Sequence, residues 1–215
     1  MHLKRQKIPK NWTVKRKGTK YVVRPNFSLN RGVPILVIFR DILGLAKNRK
    51  EVKKAIHSKD ILVNNRVPRD DKNNVVLFDT ITIIPSKKHY RMTLSEKGKF
   101  DLLEIKESES NKKIAKIINK QMLKGKKTQL SLSDGTNFLS ELKCNVSDSV
   151  IVDLKNRKIE KCLPLKEKEK AIIFEGKHSG EQGIIEKIDK KGKIAELNID
   201  SKKVNILIKQ LMVIE

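Results

Sequence analysis

Ile61-Leu62-Val63-Asn64-Asn65-Arg66-Val67 is a short apolar run, two adjacent asparagines and a return. Asn tolerates the left-handed backbone that a two-residue turn requires, so the segment predicts a tight hairpin. Upstream, Pro34 stands at the first turn of a predicted helix, where its missing N–H costs nothing. Ile35, Ile38, Phe39, Ile42 and Ala46 follow at helical spacing and give that helix one buried face. Asn48 and Glu51 have the spacing of a capping box for a second helix, with Val52, Ala55 and Ile56 as its apolar stripe and Lys50, Lys53 and Lys54 on its outer face. Downstream, Thr80 to Ile84 alternates as a strand that Pro85 ends. Helix, helix, hairpin and strand make one small unit over residues 34–88.

The segment before it, residues 1–33, is a basic arm. From Met1 to Arg40 there is no Asp or Glu, while Lys4, Arg5, Lys7, Lys10, Lys15, Arg16, Lys17, Lys20, Arg24, Arg31 and Arg40 are all basic. Leu3, Ile8, Trp12, Val14, Tyr21, Val22, Val23 and Phe27 are interleaved among them, which a purely solubilising tail does not require. The pattern predicts a short extended piece at Lys20 to Arg24 and an arm that becomes ordered against an anionic partner.

After residue 88 the helical period fades into short apolar runs divided by turns, as in a small β barrel or sandwich. The runs Lys99 to Ile105, Thr128 to Leu132, Thr136 to Leu139, Ser149 to Leu154 and Ile159 to Leu163 predict a central β domain over 89–168. The polar stretch Glu107 to Lys113 fits a long loop or a helical turn. A last domain, 169–215, begins with Ala171-Ile172-Ile173-Phe174, a glycine-rich turn from Glu175 to Gly183, and Ile184-Ile185-Glu186-Lys187-Ile188. Lys193 to Ile199, Val204 to Ile208 and Leu211 to Ile214 complete a small barrel. The fold class expected is α+β, mostly β.

Charge narrows the function. Forty-nine Lys plus Arg against 25 Asp plus Glu leave +24 over 215 residues, an excess that calls for a polyanion. Nucleic acid is the partner class this implies, since every phosphate contact releases a counterion. No apolar run approaches membrane-spanning length, so no membrane partner is expected. Aromatic content is 4%, too low for an extended base-stacking platform, which favours recognition of phosphate and shape. Cys144 and Cys162 lack CxxC spacing and no apolar signal segment opens the chain, so a reducing cytoplasm is expected and a structural zinc site is not. A strand, not a helix, follows the glycine turn, and Lys124-Gly125-Lys126-Lys127-Thr128 lacks the first glycine of a nucleotide-binding loop. Neither a cofactor nor a small-molecule substrate is expected. No paired His/Asp or Cys/His cluster suggests catalysis.

The candidate RNA contacts are Lys4, Arg5, Lys7, Lys10, Trp12, Lys15, Arg16, Lys17, Lys20 and Arg24 in the arm. Arg40, Lys47, Arg49, Lys50, Lys53 and Lys54 join them from the outer faces of the helices, Arg66 and Arg69 from the hairpin, and Lys177 and His178 from the glycine turn. A single surface lysine is most often only solvated, so the cluster is a stronger statement than any member.

Ala171 to Ile188 resembles a KOW motif, in which a family-typical glycine, here Gly180, bends an SH3-like barrel. Residues Pro34 to Ile84 resemble the helix-helix-hairpin RNA-binding fold shared by a universal small-subunit ribosomal protein, pseudouridine synthases and tyrosyl-tRNA synthetases. Asn65 stands where that signature usually has glycine. Met1-His2-Leu3-Lys4-Arg5, Arg16-Lys17-Gly18-Thr19, Pro34 to Ala46 with Arg40-Asp41, Phe78-Asp79-Thr80-Ile81-Thr82-Ile83, Asn119-Lys120, Asp134-Gly135 and Gly176-Lys177-His178-Ser179-Gly180-Glu181 occur in the order of one family. Over nearly the whole chain they are similar to the archaeal/eukaryotic-type small-subunit ribosomal protein four family. The end at Glu215, without the longer basic tail of eukaryotic members, suggests the archaeal type. The resemblance implies a cytoplasmic, non-enzymatic structural protein of translation that binds small-subunit ribosomal RNA beside neighbouring ribosomal proteins. The alternatives are an RNA-modifying enzyme or a KOW-type transcription elongation factor.

Overall fold

The computed structural model describes residues 2–125, 127–189, 192–199 and 202–214. Met1 of the family pattern and Lys126 of the rejected nucleotide loop lie outside the described residues. The chain is mostly β with a few short helices and falls into two compact units, one of residues up to Ser95 with Lys99–Asn111, the other of Glu96–Gly98 with residues from Lys112 onward.

In the first unit, β1 (Leu3–Lys4) pairs antiparallel with β2 (Tyr21–Val22), closing the basic arm on itself. β3 (Gly32–Pro34) leads into helix α1 (Ile35–Val37), which continues as a π-helical turn, Ile38–Ile42. Pro34 caps this helix as the last strand residue instead of entering its first turn, and its ring imposes no cost there because φ is −65°. Ile35, Leu36, Val37, Ile38 and Phe39 are all buried, so the segment is core on every side and not the one-faced helix its period suggests. Helix α2 (Arg49–His57) buries Val52 and Ile56, and Glu51 Oε2 accepts the backbone N–H of Lys47 at 2.7 Å and of Asn48 at 3.4 Å. These bonds satisfy orphan donors at the helix start.

β4 (Ile61–Val63) ends in Asn64 and Asn65, with φ of 51° and 59°, the left-handed pair of a primed turn. The return is one bridge, Val63 to Arg66, and the strand that flanks β4 comes from further along the chain. β5 (Asn74–Val76) pairs with β3, while β6 (Thr80–Ile83), β7 (Lys88–Leu94) and β8 (Phe100–Ile105) complete the sheet β4-β6-β7-β8. Strands β7 and β8, which the sequence pattern assigns to a central domain beginning at residue 89, hydrogen-bond into the same sheet as β4 and β6. Helix α3 (Glu107–Ser110) occupies the polar stretch that fits a loop or a helical turn.

The second unit opens with β9 (Lys112–Met122), followed by β10 (Thr128–Leu132), β11 (Asn137–Ser140), β12 (Ser149–Asp153) and β13 (Lys158–Leu163) in the order β11-β10-β9-β12-β13. A second sheet holds β14 (Lys170–Ile173), β15 (Gln182–Asp189), β16 (Ile194–Ile199), β17 (Lys202–Leu207) and β18 (Leu211–Val213) in the order β17-β16-β15-β14-β18. Side chains alternate along a strand, and β12 uses both faces: Val150 and Val152 join Ile117, Leu130 and Leu132 in one core. Ile151, with Leu163, joins Ala171, Ile185, Leu197 and Leu211 in the other. Central and C-terminal strands therefore share a compact unit.

Candidate nucleic-acid interface

The arm is tied to its own unit. Trp12 is 3% exposed, Phe100 N donates to Asn11 O at 2.8 Å, and Thr13 Oγ1 donates to Phe100 O at 2.8 Å. Asn26 N donates to Lys72 O, and Asn74 Nδ2 to Ser28 O. Trp12 is thus an anchor of the arm, and its buried ring is not presented for stacking on a base. Between these anchors Lys4, Lys7, Lys10, Lys15, Arg16, Lys17, Lys20 and Arg24 are exposed. Arg5 is half-buried and turned inward: its Nε donates to Thr19 O at 2.7 Å, Nη1 to Lys15 O at 2.6 Å, and Nη2 to Thr19 Oγ1 at 3.1 Å. Lys20 Nζ lies 5.6 Å from the centre of the Tyr21 ring, which also meets His2.

The helical candidates divide into free and paired. Lys47, Lys50 and Lys54 are exposed on and before α2. Arg40 pairs with Asp41 at 2.8 Å. Arg49 grips Asp71 with two bonds, 2.7 and 3.1 Å, and Lys53 Nζ approaches the same carboxylate at 4.0 Å. Asp71 is fully buried, and this desolvation, with the neighbouring Asp70, pushes its carboxyl above the ordinary range against the pull of Arg49. Arg66 and Arg69 are exposed beside the asparagine turn. Sequence gave no sign that the charge of Arg49 is already answered, because Asp71 lies 22 residues away.

Lys177 and His178 stand in the second unit. Lys177 is exposed, while His178 Nδ1 lies 3.0 Å from Glu181 Oε2. Gly176 and Gly180 have φ of 105° and 96°, and Gly180 N donates to Ile173 O at 2.8 Å, closing the turn between β14 and β15. Two other lysines of this unit are internal. Lys113 Nζ meets Asp134 at 2.6 Å, and Lys116 Nζ donates to the carbonyls of Ile208 and Leu211, the latter at 2.6 Å. Burial pushes Asp134 up, but the charge and hydrogen bond of Lys113, with bonds from Thr136, outweigh it and hold the carboxyl below its ordinary range. Burial pushes the Lys116 ammonium down to about 8.

Among the described residues, no group of three or more His, Cys, Asp or Glu is placed to hold a metal ion, and no helix is long and apolar enough to cross a membrane. The surface chemistry on offer is cationic.

The family model described as Ribosomal family S4e matches residues 86–159. The chain is 38% identical over 190 residues to small ribosomal subunit protein eS4 of Methanocella arvoryzae, covering 87% of this chain and 80% of that one. It is 37% identical to the eS4 protein of Nanoarchaeum equitans, over 88% of this chain and 82% of the relative. A crystal structure of the 30S ribosomal protein S4e from Thermoplasma acidophilum shares the fold at a TM-score of 0.73 and 24% identity, over 86% of this chain and 95% of that one. With such identities over most of both sequences, the chain belongs to the S4e family of small ribosomal subunit proteins.

Proposed function

We propose that this protein is a non-enzymatic structural constituent of the small ribosomal subunit, located with the ribosome in the cytoplasm, where it binds small-subunit ribosomal RNA and meets neighbouring ribosomal proteins. The observation that carries this reading is the arm: an acid-free segment, fixed by Trp12 and by backbone hydrogen bonds, whose Lys15, Arg16, Lys17 and Lys20 are all exposed. Such a surface repels itself in isolation and is neutralised by phosphates. Lys50, Lys54, Arg66 and Arg69 extend the cationic surface of the same unit, and Lys177 is the candidate contact of the second. The first unit reads as the helix-helix-hairpin RNA module with its arm, and β14 to β18 as an SH3-like KOW barrel whose glycine turn approaches the RNA backbone.

The protein should co-sediment with small subunits through gradients at moderate salt. Removing the whole arm would also remove the buried Trp12, so charge-neutral substitution is the cleaner test. The triple variant Lys15→Gln, Arg16→Gln, Lys17→Gln should flatten the log-log dependence of RNA affinity on salt by roughly two, at about 0.7 to 0.9 per lost phosphate contact. An unchanged slope would remove the arm from the interface.

A further inference from the structure

We infer that Arg5 is the internal strut of a phosphate-binding loop spanning residues 15–20, and that it positions this loop before RNA arrives. The inference rests on the RNA-binding reading for its ligand, the backbone phosphates, but the strut itself is a property of the free protein.

Arg5 N–H donates to Lys20 O at 2.9 Å, and the guanidinium spends three further donors on Thr19 O, Lys15 O and Thr19 Oγ1. Thr19 Oγ1 in turn donates to Tyr21 O at 3.0 Å, joining the loop to β2. The fork therefore holds the loop at both Lys15 and Thr19, which a planar guanidinium can do and a single ammonium cannot. Gly18 completes the seat: its φ is +144°, and a Cβ there would stand 2.9 Å from Arg5 Nη2.

All these acceptors are neutral oxygens, and the first forty residues hold no carboxylate. The Arg5 charge is thus oriented by carbonyl and hydroxyl dipoles, with no carboxylate of the arm to cancel it, in the loop that carries Lys15, Arg16 and Lys17. Four cations gathered in and against one short loop repel one another in the free protein, and an anion outside the loop relieves that repulsion. Turning the carbonyls of Lys15 and Thr19 inward also keeps those partial negative charges away from an approaching phosphate. A loop ordered in advance loses less entropy on binding, so the strut raises affinity without touching the ligand.

The test uses the full chain. In Arg5→Lys, which keeps the charge and loses the fork, backbone amides of residues 15–21 in the RNA-free protein should exchange with solvent roughly tenfold faster, with Trp12 fluorescence unchanged as the sign of an intact fold. Its affinity for a transcript of small-subunit ribosomal RNA should fall roughly tenfold with the salt slope unchanged. Gly18→Ala should reproduce both effects and serves where an Arg5 variant fails to fold. Lys17→Gln should do the reverse, lowering the slope and leaving exchange alone. Wild-type exchange and affinity in Arg5→Lys would overturn the strut, as would a loss of affinity with wild-type exchange, which would make Arg5 a direct contact. Wild-type protein indifferent to RNA would overturn the ligand assignment, while the exchange measurement would still decide the strut.

Discussion

Asn64 holds more of the first unit together than its place in a two-residue turn suggests. Its backbone is left-handed at φ 51°, its Nδ2 donates to Asp79 Oδ1 at 2.9 Å, and its Oδ1 accepts Thr80 N at 3.0 Å. The side chain therefore joins the hairpin to the strand that flanks it. Asn64→Ala should cost about 2 kcal/mol in denaturant unfolding, from two lost part-buried hydrogen bonds and an unfavourable φ, with Asn64→Gly recovering only the backbone share. Lys116 makes a prediction in pH. Its folded pKa of about 8 lies below the value near 10.4 of an unfolded lysine. Between the two the unfolded chain binds more protons than the folded one, so stability rises with pH through that window, by at most about 3 kcal/mol. A neutral amine still has hydrogens for both carbonyls, so the contact survives the loss of charge. Urea melts at pH 7.5 and 9.5 should show the rise in the wild type, and Lys116→Met should lack it.

At the scale of elements, propensity and period located most strands but misjudged those whose inner face is polar. β10, β12 and β13 fall close to the runs that alternation marks out. β9, eleven residues long, escaped because Lys113 and Lys116 occupy inward positions among Ile114, Ala115 and Ile117 and break the apolar pattern. Partners supplied by distant segments, among them Asp134 and the carbonyls of Ile208 and Leu211, make those positions tolerable. Helix α2 shows the same dependence. Its cap is legible from Asn48 and Glu51, while its seat on the unit depends on Arg49 and Asp71. Asp71→Ala should destabilise the first unit by about 2 kcal/mol in thermal or denaturant melts. That is less than breaking a fully buried pair, because Arg49 is half exposed and recovers solvation.

For the molecule as a whole, the sequence by itself determined the class of partner, the mostly β character and the family, because charge, turn residues and motif order are local and additive along the chain. The asparagine turn is of this kind: Asn64 and Asn65 both take the left-handed backbone that their residue type favours, although the strand that pairs with β4 comes from further along the chain. The tertiary structure decided which charges are available. Arg5, Arg49, Lys113 and Lys116 look alike as letters, yet Arg5 is turned into its own loop, Arg49 is bound to a buried carboxylate, and the two lysines are enclosed, while Lys17 and Lys54 remain exposed. It also decided that Trp12 is an anchor, and that β7 and β8 extend the sheet of β4 and β6 while β12 contributes side chains to the cores of the last two sheets. Burial and hydrogen-bond partnership are set by residues far apart in sequence, and no local pattern encodes the distance at which a charge will meet its answer.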